Sequence, residues 1–143
     1  MSILKVDSIQ NTGGTTALTL DSNGFVIPKA VAFSVYKSGN QSLSSGTWTE
    51  VNWDVEEFDT AGFFNTSNNR FEPQIAGYYQ INFSVNQSTG TGNAVLARLM
   101  KNGVTYRFGS YHYHSASNID DYQQWASIMV HMNGSSDYLT VHA

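Results

Sequence analysis

The chain has 143 residues, room for one ordinary domain and a short appendage but not for two domains and a linker. Asp, Glu, Lys and Arg supply only 13% of it and leave a net charge of −4, so there is no basic field to hold nucleic acid phosphates or anionic lipid. With no cysteine, disulfides, cysteine nucleophiles and thiolate metal sites are excluded, and the redox compartment stays open.

Lys5 and Asp7 interrupt what would have to be the apolar part of a signal peptide, and no later stretch is long enough to span a bilayer. Residues 1–29 read as an arm. Weak apolar runs at 3–9 and 17–20 are separated by the turns Asn11-Thr12-Gly13-Gly14 and Asp21-Ser22-Asn23-Gly24, and Pro28 closes the segment. Its apolar residues are too few for a core, and Ile3, Val6, Ile9, Leu18 and Leu20 among them are the candidate attachment residues. The arm must borrow burial from another chain or another protein, which makes it a candidate attachment segment.

Residues 30–143 read as a head of seven or eight strands, because the apolar period is two and Gly and Asn punctuate it. Strands are expected at 31–36 and 48–53, a short one within 57–64, and another at 70–71 ahead of Pro73. The most regular strand is 78–86, where Tyr79, Ile81, Phe83 and Val85 share a dry face and Tyr78, Gln80, Asn82 and Ser84 a wet one. A loop at 88–92 leads to 94–101, which meets 104–113 through the hairpin signal Asn102-Gly103. Strands at 125–132 and 138–142 flank the turn at 133–136. This spacing indicates an antiparallel sandwich or jelly roll.

Five motifs then carry a resemblance over about 110 residues: Ala32-Phe33-Ser34-Val35; Phe58-Asp59-Thr60-Ala61-Gly62-Phe63-Phe64; Asn69-Arg70-Phe71 with Pro73 and Ala76-Gly77-Tyr78-Tyr79-Gln80-Ile81-Asn82-Phe83; Leu99-Met100-Lys101-Asn102-Gly103; and Met132-Asn133-Gly134 with Asp137-Tyr138-Leu139-Thr140-Val141. Together they resemble the globular head of the first complement component's q subunit, whose trimeric jelly roll is shared with tumour necrosis factor. The resemblance implies an all-β, homotrimeric jelly-roll sandwich with an extended amino-terminal arm. The family closes its sheet with one more strand after the position of Val141, so a neighbour is expected to cover that edge. The arm, with Ile9-Gln10-Asn11-Thr12-Gly13-Gly14 and Leu20-Asp21-Ser22-Asn23-Gly24, is similar to the start of many tailed-phage fibre and appendage proteins.

Apolar residues on both faces of 95–100 and 106–113 point the same way, since a lone sandwich needs one dry face per sheet. Leu96 and Met100, with His112 and His114, are the candidate trimer interface. Tyr111, Tyr113, Tyr122 and Gln123 are the candidate contact surface for host glycan or protein, while Trp53 and Trp125 are expected in the core. The paired histidines lack Cys or acidic neighbours and read as a polar face or interface rather than a metal site. Glu56, Glu57 and Asp59, and Asp120 with Asp121, can bind calcium, but no loop has the alternating spacing of a dedicated site, so no cofactor is expected. No nucleophile setting or defined carboxylate pair marks an enzyme. The expectation is a virion structural protein, a trimeric fibre knob joined to other virion proteins through its arm, with no membrane insertion. A capsid-decorating trimer, a secreted complement- or cytokine-like ligand and a carbohydrate-active enzyme are the alternatives.

Overall fold

The computed structural model describes residues 5–89, 94–113 and 120–143. Among them there is no helix, and so none long and apolar enough to cross a membrane. The chain divides into two units, Met1–Ala32 and Phe33–Ala143.

The first unit is a three-stranded antiparallel meander of β1 (Ser8–Gln10), β2 (Thr16–Leu20) and β3 (Val26–Pro28). Its two turns are built alike, ten residues apart. Asn11 Oδ1 accepts the Thr15 N–H at 2.9 Å, and Asp21 Oδ1 accepts the Phe25 N–H at 2.7 Å. Each turn exits through a glycine in the left-handed region, Gly14 at φ 80° and Gly24 at φ 85°, where a side chain would be strained. Composition suggests only two runs here; the third, Val26–Pro28, pairs with β2 as an edge strand that tolerates a terminal proline. No described residue of this unit is buried, as its few apolar side chains require.

The second unit holds β4 (Phe33–Tyr36), β5 (Val55–Asp59), β6 (Phe64–Asn65), β7 (Arg70–Phe71), β8 (Gly77–Thr89), β9 (Ala94–Lys101), β10 (Val104–Tyr113), β11 (Asp120–Met132) and β12 (Leu139–His142). They form a five-stranded sheet in the order β10-β9-β12-β7-β6, a ribbon of β11 and β8, and a ribbon of β4 and β5. All pairs are antiparallel, and the architecture is consistent with a β-sandwich. The core lies between the inner faces: Ile81 and Phe83 of β8 and Ala126, Val130 and Met132 of β11 are buried, as are Val95, Ala97 and Leu99 of β9, Val141 of β12 and Phe71 of β7. Rings extend it, with Phe71 stacked on Phe33 at 4.6 Å and edge-on to Tyr79 at 5.3 Å.

The alternation expected along β8 is present: Ile81 and Phe83 are buried, and Tyr78, Gln80, Asn82 and Ser84 are exposed. Asn102 and Gly103 take φ 53° and 76°, the left-handed pair of a type I′ turn joining β9 to β10. Residues 48–53 do not form the expected strand. Only a short bridge follows β12, with Thr49 and Ala143 exchanging two hydrogen bonds of 2.9 Å and Val51 donating to Val141 at 2.9 Å. On the other side the Gln41 side chain replaces a strand, donating to Glu50 O at 2.8 Å and accepting from Asn52 N at 2.9 Å.

Candidate contact surface

β10 is the edge strand of the five-stranded sheet, and its course decides which side chains reach solvent. Phe108 pairs with Arg98 and Tyr111 with Leu96, so Gly109 and Ser110 together oppose the single residue Ala97. This β-bulge puts Phe108 and Tyr111, three positions apart, on one face, where strict alternation would oppose them. Glycine is needed there, since a Cβ at 109 would stand 3.0 Å from the Trp125 carbonyl oxygen and 3.3 Å from that of Ala97. Ser110 turns toward β11: its hydroxyl donates to Gln124 Oε1 at 3.3 Å and accepts the Trp125 N–H at 3.1 Å.

The result is an uncovered aromatic surface. Phe108, Tyr111 and Tyr113 are 57%, 59% and 59% exposed, and Trp125 on the neighbouring β11 is 60% exposed. An open hollow of about 480 Å³ between Phe108 and Trp125 is lined also by Arg107, Ser110 and Met129. Trp48 extends the face, its ring 6.0 Å from that of Phe108 and 4.1 Å under the Arg98 guanidinium. Arg98 also donates to Thr105 Oγ1 at 2.7 Å, and burial lowers its pKa from the ordinary value. Beside Arg98, opposite it on β12, lies His142, whose pKa burial pushes down, with Glu50, 3.7 Å away, opposing the fall and Arg98 adding to it. The outer face of the β8–β11 ribbon is mostly amide and hydroxyl, with Gln80 donating to Ser127 Oγ and Gln123 to Ser84 Oγ, each at 2.7 Å. Tyr78 and Met129 stand exposed among them.

Two of the expected contact residues, Tyr111 and Tyr113, share a face with one of the expected interface residues, Leu96. Tyr111 lies opposite Leu96, and Tyr113 opposite Ala94. His112 points to the other side of β10, where its ring stacks on Tyr122 at 5.5 Å. Met100 is only 7% exposed within one chain, with the Thr105 hydroxyl 3.5 Å from its sulfur; its own chain already covers it, and it has little surface to offer a neighbour. His114, Ile3 and the side chains of Asp120 and Asp121 lie outside the described residues. Trp125 is not in the core, because odd positions of β11 face outward while Gln124, Ala126 and Val130 face in. Phe108 is not among the expected surface residues; the signal for it is Gly109 inside a strand pattern, which marks a bulge.

Among the described residues no three acidic or histidine groups gather as metal ligands. Asp59 is occupied in building its loop, accepting from the N–H groups of Ala61, Gly62 and Phe64 at 3.1, 3.0 and 2.6 Å. Glu57 accepts the Ser34 hydroxyl at 2.8 Å. No family model matches the chain, and no curated protein matches it.

Proposed function

We propose that this chain is a non-enzymatic structural subunit of a tailed-phage particle, a homotrimeric jelly-roll knob tethered through its amino-terminal arm. The observation that carries the homo-oligomer is the clustering of four exposed aromatic side chains, Phe108, Tyr111 and Tyr113 on β10 and Trp125 on the nearby β11. An aromatic patch on a soluble surface marks an interface, and rigid aromatic anchors dominate interface energetics. The virion assignment rests on the resemblance of the arm to fibre proteins. The jelly-roll reading is supported by the strand order, in which β9 pairs with both β10 and β12 while β8 pairs with β11.

Light scattering of the full chain at micromolar concentration is expected to give three times the single-chain mass of 15.8 kDa. The substitution Phe108→Ser, on a residue already exposed, should shift that mass toward one chain without altering the β-type circular dichroism, since the fold does not depend on it. A single-chain mass for the unaltered protein overturns the reading. Particles assembled with a chain lacking residues 1–28 should lack the knob; normal incorporation overturns the tether.

A further inference from the structure

The register of the first unit, broken once by a bulge between Ile9 and Gln10, sorts its side chains between two faces. Ile9 lies opposite Leu18 and Leu18 opposite Pro28, while Leu20 lies opposite Val26. Cross-strand partners share a face, so these five apolar residues lie together, with the hydrogen-bonded pair Gln10 and Thr16 at the end of the same face, and Ser8, Thr19 and Ile27, also mutual partners, lie on the reverse. The apolar face is uncovered: Ile9 is 51% and Val26 58% exposed, and Leu18 and Leu20 are half-buried. It is a fixed feature, because the two Asx-and-glycine turns set the register and a one-residue slip would turn every aliphatic to the other side.

We infer that this sheet is a self-association stem, in which the Ile9, Leu18, Leu20 and Val26 faces of separate copies of the chain meet. The inference rests on the homo-oligomeric reading of the head and adds to it a second contact in the segment otherwise regarded only as a tether. Charge supports a second copy as the occupant. Lys5, Lys29, Asp7 and Asp21 are the only ionisable side chains of Met1–Ala32, two of each sign, so the whole net charge of −4 falls in the second unit. Copies of a neutral sheet approach without repulsion, and a charged partner gains nothing from it. A three-stranded sheet this small is marginal while its dry side is wet, so it needs a cover wherever the chain is present, and the chain itself meets that condition. Five aliphatic side chains cover less than the roughly 800 Å² per partner of a standard interface. The stem therefore closes because the heads hold the arms at a high effective concentration.

The absence of native cysteine makes the test direct. In the full chain, Leu18→Cys and Thr19→Cys place single thiols on opposite faces, to be joined with a short bismaleimide. Leu18→Cys should give covalent dimers, reaching at most about two-thirds of the chains because a trimer leaves one thiol unpaired. Thr19→Cys should give about tenfold fewer. Equal yields at both positions, or no cross-link at Leu18→Cys in a protein whose mass is that of three chains, overturn the stem and leave the head reading standing; the latter result assigns the face to a different protein. A single-chain mass before any substitution instead fails the head reading itself. Independently, Leu18→Asn should raise the concentration at which the oligomer dissociates by about tenfold while Thr19→Asn leaves it unchanged. Equal effects overturn the inference.

Discussion

Asp137 links two turns that are far apart in sequence. Its carboxylate accepts from the Asn102 side-chain amide at 2.7 Å, from Lys101 Nζ at 2.8 Å and from the Asn133 N–H at 2.9 Å. The Asn102 amide and the Lys101 ammonium together hold its pKa at about 2, below the ordinary 3.8. A carboxyl depressed in the folded state adds stability that is present above its unfolded pKa and is lost as the pH falls from about 4 toward 2. Asp137→Asn is expected to lower the melting temperature at pH 7 by about 5 °C and to flatten the acid dependence across that window. A thermal melt at each pH measures both. Gly134 next door sits at φ 72°, and a Cβ there would approach the Ala76 backbone nitrogen to 2.3 Å. Gly134→Ala is thus expected to cost more than about 2 kcal/mol, readable by urea denaturation, because backbone and not a flexible side chain must give way. At this scale the chemistry of turns was legible: Asn102-Gly103 announces left-handed geometry through residue type alone. The bond from Asn102 to Asp137 was not, since it depends on two loops meeting in space.

At the scale of elements, β8 was readable because its alternation runs unbroken and the chain buries one side of it. β10 was not, because the bulge at Gly109 and Ser110 reverses the parity of every position after it. Trp125 failed for a different reason, since β11 keeps its parity throughout: a tryptophan is the best single guess for a core residue, and only the pairing of Gln124 with Val85 and of Trp125 with Ser84 shows which of the two neighbours turns inward. Gln124 is fully buried, with its Nε2 lacking a partner and its Oε1 accepting from Ser110. Gly109→Val is expected to destabilise by about 1–3 kcal/mol through contact with the carbonyls of Trp125 and Ala97. Leu99→Ala, at 1% exposure in the centre of β9, is expected to cost about 2–5 kcal/mol. Denaturant midpoints of the two variants separate strain from cavity formation: restoring a smaller side chain at 109 recovers the first, and no smaller residue repairs the second.

For the whole molecule, composition already carried the main features, a weakly charged surface and an arm too poor in apolar residues to bury any of them. What it could not convey is where the apolar surplus emerges, because that follows from which strands pair across long sequence separations, as β12 does with β7 and β9. The surplus is aromatic and aliphatic rather than ionic. An assembly joined through it is expected to hold its mass as salt rises from about 0.05 to 1 M, where association through charge would weaken. Sedimentation across that range checks this, and a mass that falls with salt would place the contact among the charged groups instead.

The ribbon of β8 and β11 runs for thirteen residues a side, yet β8 has a bonded neighbour along one edge only among the described residues. Every second amide of Gly77–Thr89 is locked into β11, and those between look outward. In heavy water the strand should therefore keep two clocks, slow and fast protons alternating one by one, and any added strand that docks on that side would be seen as the fast set falling silent.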